Sequence, residues 1–361
     1  MENKMKNIPE SILNAFPFDS EIVASCTYGD GHINDTFKAT SAAGTEYLVQ
    51  RINTNVFTRP VELMENLIAV TAHIRKKIDD PRGCLNLIPT KDGAPYVNGP
   101  DGFWRVYDFI TGTICLSQPE TPADFYQSAV GFGNFQKQLS DFPAGTLHET
   151  IPNFHNTQDR YKKFKAALAA DKAGRAASVQ REIDFYLSEE EDGGSLVRML
   201  NEGDLPLRVT HNDTKLNNVL LDAGTHKALC IIDLDTVMPG LSLYDFGDSI
   251  RFGASTAAED EPDLARVWMS LELFKLYTEG FLYACGSTLT KTELELLPMG
   301  AKIMTLECGM RFLTDYLEGD TYFRIDRPQQ NLDRARTHIK LVQDMERQWD
   351  DMCRVVKEAE Q

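Results

Sequence analysis

The residues able to do chemistry concentrate in one stretch of the chain. After an apolar start at residues 207–209, the sequence turns polar through Thr210, His211, Asn212, Asp213, Thr214 and Lys215. Asn218 stands five positions after Asp213 and leads into a second apolar run, 219–221. A third apolar run, 228–232, ends at Asp233, with Asp235 just beyond. Two carboxylates and an amide at neighbouring hairpin ends can converge on one point. Such an all-oxygen set suits Mg²⁺, which takes one or two carboxylates and leaves positions for phosphate oxygens. The bland reading is that His211 and Asp213 cap a turn and Asp233 ends a strand.

The spacing H-x-D-x-x-x-x-N, followed by a strand-ending Asp, matches a kinase catalytic loop and its metal-holding carboxylate. A second glycine-bearing segment, Tyr28-Gly29-Asp30-Gly31-His32-Ile33-Asn34, lies between two strand-like runs. It stands where a kinase covers its nucleotide phosphates, although most such hairpins are only turns. The chain contains no G-x-x-x-x-G-K-[ST], no H-E-x-x-H and no G-x-S-x-G. P-loop enzymes are therefore excluded, and zincins and common hydrolases lose support.

The elements that must position these residues divide into two kinds. Strand-like runs at 22–26, 36–39, 47–52, 85–89 and 104–110 predict a small sheet, with one helix opened by Pro60. After Thr111-Gly112 the helical period dominates. Thr121-Pro122-Ala123-Asp124 reads as an N-cap with an acid at its third helical position, and Thr290–Glu293 as a capping box. Apolar residues at 332, 335, 339, 342, 345, 349 and 352 predict one long amphipathic tail helix. The expected division is thus 1–110 and 111–361, an α+β fold in which the β-type island 207–248 interrupts a helical domain.

Composition agrees. The 361 residues suffice for about two domains with cores of their own. Lys plus Arg is 37 and Asp plus Glu is 54, so the net charge is 37 − 54 = −17. That argues against nucleic acid or an anionic membrane as partner, since both need a basic face. Seven scattered cysteines without a C-x-x-C read as buried free thiols in a reducing compartment. With neither a signal-like N-terminus nor an apolar run long enough for a membrane span, the expected location is cytoplasmic.

The whole length resembles the aminoglycoside phosphotransferase-like kinases. The strings that carry the resemblance are YGDGHIN (28–34), THNDTKLNN (210–218) and IIDLDT (231–236), extended by DFGDSIRFG (245–253) and ECGMRFL (307–313). The first is generic to the fold; the second and third are strong for phosphoryl transfer. The longer stretches point, within the family, to kinases of N-acetylhexosamines. The resemblance implies a two-lobed protein-kinase-like fold with a small β-rich N-lobe and a larger helical C-lobe. It implies ATP and Mg²⁺ between the lobes, and a sugar (GlcNAc or GalNAc) phosphorylated on its anomeric hydroxyl. Asp213 matches the catalytic base, Asn218 and Asp233 the metal ligands, and Gly29 and Gly31 the phosphate-covering loop. Asp108 and Ile110 fall on the hinge that reads adenine. Asp245 matches a brace of the catalytic loop.

Two departures stand out. Asp235 occupies the third position of the usual D-F-G, with a role in metal binding, sugar binding or simple solvation left open. The strand-three lysine is absent; Gln50 and Arg51 stand there, and alternation lets only one face the cleft. Arg51 carries the right charge. The acidic partner is open between Glu62 and Glu65. For the sugar, Glu307 and Arg311 lie at i and i+4 and share a helix face, as in an ordinary salt bridge. The resemblance makes Arg311, Tyr322 and His32 sugar contacts beside Asp213. A kinase of a cationic acceptor such as choline or an aminoglycoside fits the acidity but not Arg311. A non-catalytic nucleotide-binding scaffold fits the missing lysine but not the intact Asp213, Asn218 and Asp233.

Overall fold

The computed structural model describes residues 7–29, 31 and 33–360. The N-lobe is built on α1 (Glu10–Ala15), β1 (Ile22–Thr27), β2 (Asp35–Ser41), β3 (Glu46–Ile52), α2 (Pro60–Arg75), β4 (Val97–Gly99) and β5 (Gly102–Asp108). The strands form one antiparallel sheet in the order β1-β2-β3-β5-β4. Alternation gives that sheet two apolar faces. Phe37, Val49, Trp104 and Val106 pack under Ile12 of α1 and Phe16 just after it, whereas Ile52 and Phe103 pack against Leu63 and Met64 of α2. Pro60 opens α2, its missing N–H being one the first turn leaves unpaired anyway.

The chain then enters the C-lobe through β6 (Thr113–Cys115), which pairs with a strand of the island rather than with the N-lobe sheet. The helices that follow are α3 (Pro122–Gln138), α4 (Thr157–Ala170), α5 (Gln180–Ser188), α6 (Glu190–Gly193) and α7 (Ser195–Glu202). The island supplies β7 (Arg208–Thr210), β8 (Val219–Asp222), β9 (Ala228–Ile231) and β10 (Met238–Gly240). Behind it stand α8 (Ser242–Gly253), α9 (Leu271–Cys285), α10 (Lys291–Glu295), α11 (Leu297–Glu318), α12 (Gln330–Arg347) and α13 (Trp349–Ala359). Both capping boxes form, at Thr121–Asp124 and Thr290–Glu293.

α11 is the axis of this lobe: α8, α4 and α12 pack around it, while α3 packs on α9. The α8–α11 crossing is so tight that a Cβ at Gly247 would lie 2.2 Å from the Gly300 carbonyl oxygen. Residues 85–89, expected as a strand, make only an isolated bridge from Leu87 to Tyr107 along β5; Pro89 has no N–H with which to continue a ladder. The tail, expected as one helix, breaks at Gln348 into α12 and α13, so that Met352, Val355 and Val356 turn back onto the main core. No disulfide links any of the seven cysteines, and Cys26, Cys115 and Cys353 are exposed and Cys308 half-buried rather than buried. Among the described residues no helix is long and apolar enough to cross a membrane.

Candidate active site

The catalytic loop hangs between β7 and β8 and is fixed from behind by α8. Asp245, fully buried, accepts the backbone N–H of His211 at 3.0 Å and of Asn212 at 2.8 Å. Burial pushes its carboxyl up, against the pull of His211 and these hydrogen bonds. His211 donates through Nε2 to the Ile232 carbonyl (2.9 Å) and accepts the Asp213 N–H at Nδ1 (3.3 Å). Its ring lies edge-on to Phe132 and Phe135. Asn212 takes a left-handed φ of 65° and anchors its amide on the Thr236 carbonyl at 2.8 Å. Asp248 receives the Thr214 N–H at 3.0 Å. None of these ties uses the Asp213 carboxylate, so the loop is held while that group is left for chemistry.

That carboxylate faces two groups. Lys215 Nζ lies 3.0 Å from Oδ1, and Asn218 Nδ2 lies 3.2 Å from Oδ2. Desolvation pulls the Lys215 ammonium down, but Asp213 and Asp248 outweigh it and hold the lysine charged. Ile232, next to Asp233, donates its N–H to the Asn218 carbonyl at 2.9 Å, which joins the two hairpin ends. Asp233 has φ 57°, a left-handed turn that throws its side chain out of the strand. The carboxyl reaches solvent through the cleft, yet desolvation by the surrounding walls, then Asp235 and Asp213, push it up to about 6. A carboxylate so crowded by negative charge, beside an amide whose nitrogen is already committed to Asp213, is a donor set that fits a divalent cation.

The N-lobe side of the cleft resolves the alternation left open in the sequence. Arg51 points to the outer face of the sheet, half exposed, with Asp35 at 3.8 Å. Gln50 faces inward and accepts from Arg105 Nε (3.1 Å) and Nη2 (2.9 Å). The register explains this: Gln50 is paired with Arg105, and Arg51 with Trp104. Neither candidate acid serves an inward cation, since Glu62 pairs with Arg59 and Glu65 with His148. The inward cation is Arg105, held by Asp235 of the C-lobe at 2.6 Å. Asp235 is therefore buried and committed, not solvating its loop.

Gly29 has φ 79°, and both Gly29 and Gly31 are open on the side where a Cβ would point. His32 lies outside the described residues. At the hinge, the Tyr28 ring meets Phe109 edge-on at 5.2 Å. Asp108 donates its N–H to the Asn86 carbonyl, and the Ile110 carbonyl accepts from Thr113 Oγ1 at 3.0 Å.

On α11, Glu307 is fully buried and shared by His155 Nδ1 (3.2 Å), Arg160 (3.6 Å) and Arg311 (4.0 Å). Burial alone would raise its carboxyl, but His155 and the two guanidinium groups hold it low. His155 also lies 3.4 Å from the Asn212 carbonyl, so this cluster abuts the catalytic loop. The Arg311 guanidinium sits between the rings of Phe154 and Phe323, 5.6 and 5.5 Å from their centroids. Tyr322 is 72% exposed, on a loop whose N–H groups at 321, 322 and 323 all donate to Asp315. A pocket lined by Phe154, His155, Asn212 and Tyr244 opens alongside.

The model of the phosphotransferase enzyme family matches residues 26–271, well over half of the chain. The chain belongs to the phosphotransferase enzyme family. Solved structures agree on the fold. An aminoglycoside phosphotransferase from Alicyclobacillus acidocaldarius superposes with a TM-score of 0.60 at 14% identity, over 98% of this chain and 97% of that one. A choline/ethanolamine kinase family protein from Mesorhizobium loti gives 0.56 at 16% identity, over 96% and 97%. An amicoumacin kinase in complex with AMP-PNP and Ca²⁺ gives 0.58 at 11%, over 91% and 90%. This phosphotransferase thus has the two-lobed kinase-like fold its motifs implied, with a small antiparallel N-lobe and a helical C-lobe.

Sequence reasoning missed Arg105, Lys215, Asp248 and His155 as parts of this phosphotransferase's cleft. Lys215 was within reach, two positions from Asp213 in the same loop. Arg105 was not, because nothing in a strand sequence says which neighbour its side chain will meet.

Proposed function

We propose that this phosphotransferase is an N-acetylhexosamine 1-kinase, moving the ATP γ-phosphoryl group to the anomeric hydroxyl of GlcNAc or GalNAc. The observation that carries the reading is the excess positive charge beside the catalytic loop. Arg160 and Arg311 outnumber their one buried acid, Glu307, and Arg311 lies between two aromatic faces. Charged donors next to apolar planes suit a neutral sugar with hydroxyls and an amide. A cationic acceptor such as choline needs an acidic or aromatic cage instead.

In this reading Asp213 orients the anomeric hydroxyl and takes its proton. That hydroxyl is the most acidic of the sugar, because the ring oxygen stabilises its anion, so a carboxylate of modest basicity suffices. Lys215, held charged next to Asp213, faces the charge that develops on transfer. Asn218 and Asp233 would hold Mg²⁺, which would supply positive charge to neutralise the phosphates during transfer. Gly29 and Gly31 cover the phosphates, while Asp108 and Ile110 present hinge backbone to adenine. Arg311 and Tyr322 contact the sugar.

The test is ATP consumption with GlcNAc, GalNAc, their methyl glycosides, choline and kanamycin. Turnover with the free N-acetylhexosamines and none with the methyl glycosides, whose anomeric oxygen is blocked, is expected. Phosphate on another hydroxyl of a methyl glycoside removes the 1-kinase assignment. Turnover with choline or kanamycin alone replaces the acceptor and leaves the phosphotransferase.

A further inference from the structure

Two charges are buried face to face between the lobes. Arg105 of β5 and Asp235, in the turn Leu234–Thr236, meet at 2.6 Å with 2% and 1% of their side chains exposed. Isolated buried charges are strongly unfavourable, so the pair persists only because its remaining groups are also satisfied. On the Arg105 side, Gln50 accepts twice, and its own amide donates to Thr36 at 3.0 Å. On the Asp235 side, Oδ2 accepts from Asn34 Nδ2 at 2.6 Å, and Asn34 Oδ1 takes the Asn53 N–H at 3.0 Å. Asn34 closes the Tyr28–Asn34 segment, so this carboxylate also anchors the end of the glycine-bearing loop.

The turn is tied equally on its other flank. Thr236 Oγ1 donates to the His211 carbonyl at 2.6 Å, and the Thr236 carbonyl accepts from Asn212 at 2.8 Å. One unbroken chain therefore runs from β3 and β5, through Arg105 and Asp235, to Thr236 and the catalytic loop. Asp233 stands at the start of that turn in a left-handed conformation. Its direction depends on the turn staying where Arg105 holds it.

We propose that the Arg105–Asp235 pair is a positioning clamp: it replaces the usual strand-three lysine and its helix acid, fixing the Asp233 turn and the end of the Tyr28–Asn34 loop in one register. Asp235 acts through Arg105 and Asn34 and is not itself a metal ligand. The inference rests on the phosphotransferase reading of the cleft and is independent of the acceptor. It accounts for two oddities at once, the acid in place of the D-F-G glycine and the lysine missing from β3. A glycine there leaves Arg105 unpaired; a lysine at position 50 meets Arg105 instead of an acid.

The experiment is calorimetric titration of the full chain with AMP-PNP, in Mg²⁺ and in EDTA, with melting temperatures to monitor folding. The variants are Asp235→Asn, Arg105→Met, Arg105→Lys and the Arg105→Met/Asp235→Asn double. The parent is expected to bind AMP-PNP more tightly with Mg²⁺. Each of Asp235→Asn and Arg105→Met is expected to lose about tenfold or more of that Mg²⁺-dependent gain, with affinity in EDTA held within about threefold. The double variant is expected to be no worse than the weaker single, because both remove one interaction. If Arg105→Met does not fold, Arg105→Lys, which keeps the charge but not the fork, is expected to show a smaller loss in the same direction. A full Mg²⁺-dependent gain in folded Asp235→Asn reduces the pair to a brace and overturns the proposal. A loss in Asp235→Asn together with tighter Mg²⁺ dependence in Arg105→Met overturns it too, making Asp235 a metal ligand. A parent showing no Mg²⁺-dependent AMP-PNP binding removes the nucleotide reading of the cleft itself.

Discussion

Asp213 is held by backbone ties to its neighbours and by two side chains at its own oxygens. Its substitution therefore tests chemistry more than folding. Asp213→Asn is expected to lower kcat by roughly 10²–10⁴-fold while ATP affinity barely changes, since the proposed function places the nucleotide contacts at the hinge and metal. Single-turnover and binding measurements separate the two; near-normal turnover removes Asp213 from the mechanism. Arg311, which touches two rings and one acid but not the loop, is the acceptor contact of the proposed function. Arg311→Ala is expected to cost about 1–3 kcal/mol in kcat/KM for the acceptor, the usual loss of a charge-assisted contact. The KM for ATP should stay in place; a rise in that value instead moves Arg311 to the nucleotide side.

Among the elements, α8 matters most, because it carries both Asp245 and Asp248 to the catalytic loop. Its position depends on Gly247, whose missing Cβ lets it touch the backbone of α11 at Gly300. Gly247→Ala is expected to destabilise by about 1–3 kcal/mol, from overpacking between two backbones that cannot both stay. It should reduce turnover as well. Urea melts that match the parent remove this crossing from the account.

α12 adds a pH dependence. His338 is buried against Phe312, facing Arg251 and Glu259, with Cys308 nearby and Nδ1 on the Arg334 carbonyl at 2.7 Å. Burial pushes its imidazole down from 6.5 to about 4, against the pull of Glu259. The folded protein thus keeps it neutral while the unfolded chain protonates it. Stability is complete above about pH 6.5 and falls as the pH drops toward 4, by about 3 kcal/mol from this group alone. Urea midpoints at pH 7 and pH 5 should therefore differ less in His338→Gln than in the parent; an equal difference contradicts the assignment.

At the scale of the whole molecule, the cleft joins two lobes whose cores meet along α2, where Leu67, Val70 and Ile74 belong to the main core of the C-lobe, while the sheet keeps smaller cores of its own. A nucleotide gripped by both stabilises both. Mg²⁺ and AMP-PNP at 100 times Kd are expected to add about 2.7 kcal/mol to unfolding stability, read as a rise in Tm that EDTA largely reverses. A Tm indifferent to AMP-PNP contradicts nucleotide binding in the cleft.

The sequence by itself determined what local chemistry decides. The 5-residue interval from Asp213 to Asn218 and the apolar run ending at Asp233 are properties of adjacent residues, and the structure brings all three to one hairpin end. Caps at Thr121 and Thr290 and the proline opening α2 were legible for the same reason: each is a bond or a missing bond within one turn. Tertiary structure decided whatever depends on a distant partner. Residues 85–89 have strand composition, but only the edge of β5 and Pro89 settle that they make one bridge. The break at Gln348 interrupts a continuous apolar period, because α13 must fold back over α9. Whether Gln50 or Arg51 faces the cleft is a question of register, where one residue's shift exchanges the two faces. The partner of Asp235 lies 130 residues earlier in the chain, on a strand whose own sequence carries no sign of it.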